Sequence, residues 1–201
     1  MQTLRALLIQ RAARLQQRPA FSTQTWALDY GQLRNRVEGV ALGLLSTPQP
    51  VGSSVHRPGS DPWAWMAELA AACCGLQWDP KGEPISDQVL GGPGFNSEEG
   101  RGPYHDRDHL MDETTLFTAQ LTHGELLRRL TRMNVALGWD HETRFHLPDQ
   151  AMGTPAGRGA LWCALYAGAQ VRVGPARPSR SWFSRSDDAP FDPEPFLPLG
   201  L

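Results

Sequence analysis

The chain has 201 residues, enough for one domain with a core and too few for two full ones. Lys+Arg 19 against Asp+Glu 21 leaves a formal net charge of −2, so no overall field attracts nucleic acid or an anionic membrane surface, and neither is expected as a partner. The basic residues are 18 arginines and a single lysine, Lys81, so chemistry that needs a lysine has one candidate. Three cysteines, Cys73, Cys74 and Cys163, form neither a disulfide framework nor a CxxC knuckle and fit reduced, buried thiols in a cytoplasmic protein. No apolar run approaches the roughly 18 residues a membrane span needs.

Met1 to Leu15 carries Arg5, Arg11 and Arg14 and no acid, as transit peptides do. Leu4, Leu7, Leu8, Ala12 and Leu15 nevertheless fall on one helical face, which predicts a first helix ending at Arg18-Pro19. Extended runs follow at 20–23 and 26–28. Asp29 then caps a helix whose apolar face is Leu33, Val37, Val40, Ala41 and Leu44. Val51–Val55 is a strand candidate. Ser60-Asp61-Pro62 opens a third helix, Trp63 to Cys74, apolar nearly all round and therefore buried on more than one side. Gly75 ends it, and Leu76-Gln77-Trp78 forms a short strand.

Residues 81–112, rich in glycine, proline and charge, read as a long exposed loop. Thr114–Thr118 is β-prone. Thr122 and Glu125 fit a capping box before the helix face Leu126, Leu127, Leu130, Met133 and Leu137. Phe145–Leu147 gives a strand, Thr154-Pro155 opens another apolar helix, and Val171–Val173 gives the last strand. Six prolines after Gly174 make 175–201 a tail, arm or linker. Strands alternating with helices predict an α/β fold over residues 1–174, a mostly parallel sheet with helices on both faces in three layers.

The order of segments resembles the N-terminal part of the adenylate-forming superfamily, which includes acyl-CoA synthetases, luciferases and peptide-synthetase adenylation domains. Arg18-Pro19-Ala20-Phe21 with Leu28-Asp29-Tyr30-Gly31-Gln32-Leu33 is similar to its opening pattern, and Trp63–Pro80 to its helix–Gly–strand–Pro unit. Leu116-Phe117-Thr118 and Leu121-Thr122-His123-Gly124-Glu125 look like the flanks of its phosphate loop. Leu147-Pro148 and Ala167-Gly168-Ala169-Gln170-Val171 resemble its next strand–helix–strand unit. The resemblance implies a binding site for ATP and an acyl group, and three departures count against adenylation. Only Ala119 and Gln120 separate Thr118 from Leu121, so the Ser/Thr/Gly-rich loop that ends in lysine and wraps phosphates has no counterpart. Met152 and Gly153 stand where the family has an aromatic–His pair. The chain also stops before the family's later nucleotide-binding segments. Neither ATP nor AMP is expected as a cofactor. Thr118, Thr122 and His123 are the remnant flank, and Glu125 puts a negative charge on the one helix N-terminus left to receive an anion.

Outside the resemblance, His105 and His109, four residues apart, are metal-ligand candidates in a loop-like setting. Ser53 and Ser54 lack the Gly-x-Ser-x-Gly elbow of hydrolases, and Gly91-Gly92-Pro93-Gly94 opens no dinucleotide-binding helix. Seven tryptophans are too many for a core this small, so some must reach the surface. In the tail, Trp182, Phe183, Phe191 and Phe196 among prolines suit docking on a partner. The expected function is a truncated acyl-CoA synthetase-like domain acting as a binding or assembly subunit. Its partners would be further copies of itself or a full-length adenylate-forming enzyme. The alternatives are the ligand-binding half of a split carboxylate–CoA ligase and a metal-binding protein.

Overall fold

The computed structural model describes residues 3–46, 50–59, 61–90, 121–175, 191–199 and 201. Thr3, in extended conformation, accepts a hydrogen bond from the Ala6 N–H and starts α1, Leu4–Leu15, which buries Leu4, Leu7, Leu8 and Ala12. Pro19 cannot continue that helix and begins β1, Pro19–Ser22. A turn in which the Thr23 hydroxyl oxygen accepts from the N–H groups of Thr25 and Trp26 returns the chain as β2, Ala27–Asp29. Asp29 and Gln32 exchange bonds in a complete capping box that opens α2, Tyr30–Leu45. After β3, Ser54–His56, the Asp61 carboxylate accepts from the Ala64 N–H and Pro62 takes the first helical position of α3, Pro62–Cys73.

The short strands β4, Gln77–Trp78, and β5, Glu83–Pro84, precede a single helical turn, α4, Asp87–Leu90. Thr122 caps α5, His123–Leu137. Next come β6, Arg144–Pro148, and a 3-10 turn at Asp149–Ala151. Thr154 caps α6, Pro155–Ala167, and β7, Gln170–Gly174, follows. Gly138 and Gly168 close α5 and α6 in the left-handed region, at φ 65° and 83°.

The strands form two sheets rather than one. The first has the order β2-β1-β7-β6, with β1, β7 and β6 mutually parallel and β2 antiparallel at the edge. The second, β4-β3-β5, is wholly parallel. The split has a physical cause in α3, which lies between the two. Its Trp65 ring stacks on Phe21 of β1, with ring centroids 5.1 Å apart, while other parts of the helix pack on α2 and β3. Ala67, Ala70 and Ala71 are fully buried there, which is why this helix is apolar on every side.

Two segments differ from the sequence reading. Residues 83–90 are not open loop: β5 pairs with β3 in the register Val55↔Glu83 and His56↔Pro84, and α4 packs against α2. A two-residue strand of exposed Glu83 and Pro84 shows no alternation to read, and proline without an N–H is tolerated at a sheet edge. The end of the chain is not free either. A 3-10 turn, Glu194–Leu199, lies across α6 and α5 with Phe196 and Leu199 buried. Phe196 joins a ring cluster with Trp139, Phe145 and Phe191, at centroid distances of 5.6, 6.2 and 6.0 Å. Gly159 makes this seat possible, because a Cβ there would lie 3.0 Å from Leu199 Cδ1 and 3.2 Å from the Phe196 carbonyl oxygen.

Candidate functional site

The carboxyl ends of β3, β4 and β6 open onto one cavity of about 380 Å³. The β3 end supplies His56 and Arg57, the first turns of α3 supply Asp61, Trp65 and Glu68, and β4 supplies Trp78. The turn after β6 contributes Met152 and Gly153, and α6 contributes Arg158. Crevices at the carboxyl ends of parallel strands are where α/β sheets place ligands. The turn that carries Met152 is pressed against α6. A Cβ at Gly157 would sit 1.8 Å from the Ala151 carbonyl oxygen, so this approach requires glycine.

Glu68 anchors the cavity floor. It is 2% exposed, and its carboxylate accepts from Arg158 Nε at 2.8 Å, from Arg158 Nη2 at 3.1 Å and from the Trp162 indole N–H at 2.8 Å. The bidentate fork and the indole together compensate a carboxylate taken out of water. Arg57 is held differently: Nη1 donates to Asp87 at 2.6 Å, and Nη2 lies 3.6 Å from Asp61. The His56 Nδ1 lies 2.8 Å from the Gly82 carbonyl oxygen, which can only accept, so Nδ1 carries a proton. Lys81, the single lysine, sits on an exposed turn before β5 and does not line the cavity.

Thr122 and His123, the flank that the sequence resemblance assigns to a phosphate loop, form a structural joint. The Thr122 hydroxyl accepts from the Glu125 N–H at 3.2 Å, an ordinary N-cap. His123 is fully buried, and its Nδ1 accepts from the Leu4 N–H at 3.1 Å, so the first residue of α5 satisfies an open donor at the start of α1. Burial without a compensating charge pulls this histidine down from 6.5 to about 4, and it stays neutral at physiological pH. Glu125 does not offer the bare negative charge expected of it. Arg128 and Arg129 bond its carboxylate at 2.6 and 3.0 Å and hold it below the usual carboxylate range, so its charge is internally balanced.

Thr118, the metal candidates His105 and His109, and the tail residues Trp182 and Phe183 lie outside the described residues. Phe191 and Phe196 face inward. Rather than being free to dock on a partner, as the sequence reading expects of them, these two rings pack within the chain itself, where their turn lies on α6 and α5 beside Trp139 and Phe145. All three cysteines are buried, and burial pushes the Cys163 thiol up to about 12. Of the tryptophans, Trp162 and Trp65 are buried, while Trp26, Trp63, Trp78 and Trp139 are half-exposed. Sequence reasoning missed Glu68, Arg158 and Arg57. A signal existed for the first: Glu68 is the one charge in Trp63–Cys74, and a carboxylate on an otherwise apolar helix needs a partner.

No protein-family model and no curated protein sequence matches the chain. Solved structures do. The NpsA N-terminal subdomain of Klebsiella oxytoca superposes with a TM-score of 0.65 at 14% identity, covering 89% of this chain and 55% of that one. The N-terminal domain of FACL13 from Mycobacterium tuberculosis gives 0.62 at 15%, covering 87% and 57%. The fatty acyl-adenylate ligase from L. pneumophila, in complex with acyl adenylate and pyrophosphate, gives 0.63 at 16%, covering 87% and 40%. The chain thus spans little more than half the length of the first two and less of the third. Among the described residues no helix is long and apolar enough to cross a membrane. At these identities the likeness is one of architecture: the chain has the α/β fold of the N-terminal subdomain of adenylate-forming enzymes.

Proposed function

We propose that this chain is a binding or assembly subunit built on the adenylate-forming fold and that it forms no adenylate of its own. The observation that carries the reading is the start of α5. Only two residues separate Thr118 from Leu121, so no run of hydroxyl and glycine residues precedes the helix, and no lysine follows it. The helix start itself is committed to internal bonds, with His123 turned to Leu4 and Glu125 held by two arginines. A triphosphate would find there neither the cradle of backbone donors nor the mobile cation that phosphate binding uses. Further copies of the chain, or a full-length adenylate-forming enzyme, are the partners this reading expects.

The test is pyrophosphate exchange with ATP and a panel of carboxylates, on the chain alone and mixed with a full-length adenylate-forming enzyme. No exchange by the chain alone, together with co-elution or a mass above the monomer in light scattering, is the expected result. Exchange by the isolated chain would overturn the reading. Exchange that appears only when a second, individually inactive chain supplies the loop and lysine would replace it with the split-ligase alternative. A rise in melting temperature with ATP would equally count against it, since a ligand that binds only the folded state stabilises that state.

A further inference from the structure

We propose that the cavity at the ends of β3, β4 and β6 takes a small aromatic cation, an amine carried on a ring, and discriminates against the matching carboxylate. The proposal rests on the reading of the chain as a binding subunit and names the ligand class of that subunit.

The first support is shape and lining. At about 380 Å³ the cavity is within the range of small-molecule sites, and Trp65, Trp78 and Met152 give it an aromatic and apolar wall. Tryptophan is the best side chain for holding a cation against a ring. The same chain already uses such contacts, with the Arg36 guanidinium 5.3 Å from the Trp63 ring and that of Arg11 5.7 Å from the Tyr166 ring.

The second support is that, among the described residues, both arginines lining the cavity are engaged. Arg158 gives two N–H groups to Glu68. Arg57 is bonded to Asp87 and faces Asp61. A carboxylate entering the cavity would have to compete with an acid already in place, and the displaced acid would be left without its partner.

The third support is the surplus of acids. A second hollow, of about 470 Å³, shares Asp61 and Met152 with the first and adds Asp149. Among the described residues the Asp149 side chain has no partner. Among the described residues the two hollows, which share Asp61 and Met152, hold Asp61, Glu68 and Asp149 against two arginines, with Asp87 further offsetting Arg57. A ring seated in the cavity against the half-exposed Trp78 would place an attached ammonium within a field that favours positive charge.

The test uses probes of one shape and different charge: 2-phenylethylamine, 3-phenylpropionate and the neutral 3-phenylpropan-1-ol. Each is titrated into the full chain at pH 7 by calorimetry and by tryptophan fluorescence. The amine is expected to saturate and to bind at least about tenfold more tightly than the carboxylate, which corresponds to about 1.4 kcal/mol. Asp149→Asn, at an exposed position, should reduce that ratio severalfold with an unchanged melting temperature. Asp87→Asn removes the closer partner of Arg57 and should raise affinity for the carboxylate. Equal or tighter binding of the carboxylate by the unaltered chain, no saturable binding of any probe, or an unchanged ratio in Asp149→Asn would each overturn the proposal. Adenylate formation by the chain would instead overturn the binding-subunit reading, and pyrophosphate exchange detects it separately from the titrations.

Discussion

Lowering the pH should unfasten α1 from α5 through His123. In the folded chain this imidazole titrates at about 4, because it is buried and its Nδ1 is occupied by the Leu4 N–H; unfolded, it returns to about 6.5. Between those values the unfolded state binds a proton that the folded state refuses, so stability falls as pH falls. The contribution is fully present above 6.5 and fully lost below about 4. At about 1.4 kcal/mol per pH unit the loss reaches roughly 3 kcal/mol, a large share of the 5–15 kcal/mol typical of a domain. Other groups titrate in the same range. Glu38, which burial raises, weakens the fold as pH rises, while Glu125, Asp140 and Glu142, held low by their partners, weaken it as pH falls. The comparison that isolates His123 is with His123→Asn, whose carbonyl can accept from the Leu4 N–H without titrating. Urea denaturation of both proteins from pH 7.5 to 4 gives the difference at each pH. The missing ring adds a constant offset, and the histidine adds a slope. A stability difference that stays flat across the range would refute the assignment of His123 as a neutral, buried strut.

Glu68→Gln leaves Arg158 without its counter-charge at a nearly buried site and should cost about 3–5 kcal/mol, read as a lower urea midpoint. Phe196→Ala removes the central ring of the Trp139–Phe145–Phe191 cluster and should cost about 3 kcal/mol; a change below about 1 kcal/mol would mean that the Glu194–Leu199 turn is not seated in solution. Cys73, Cys74 and Cys163 should fail to react with an aromatic disulfide reagent until urea unfolds the chain, because all three are buried and the Cys163 thiol is held up at about 12.

What could be read from the sequence was whatever rests on local chemistry. Asp29, Asp61, Thr122 and Thr154 each cap the helix expected of them, since capping needs only residues within a few positions of one another. The apolar faces of α1, α2 and α5 were equally legible from their periodicity. What could not be read depends on residues that meet only after folding. The division into two sheets follows from where α3 lies, and its all-round burial is silent about what stands on each side. The cavity was hidden for the same reason: Arg57, Trp65, Met152 and Arg158 are spread over about a hundred positions and converge at three strand ends. Glu125 is legible as an acid, but its charge is balanced only by the rotamers that bring Arg128 and Arg129, three and four residues on, to its carboxylate. Phe191 and Phe196 read as exposed because proline-rich composition argues for an open segment, yet two rings of the folded domain, Trp139 and Phe145, await them.

The bond from Leu4 to His123 spans 119 positions, and the pairing of Phe21 with Val171 spans more. Both bear on synthesis by the ribosome, where the chain emerges at about 5–20 residues per second. The first helix stays unfinished until the fifth has been made, and β1 presents an unsatisfied edge until β7 arrives. About 150 residues are made between the two strands, and over that interval Phe21, a fully buried ring in the finished fold, stands on a strand with one edge open to pairing with a wrong neighbour.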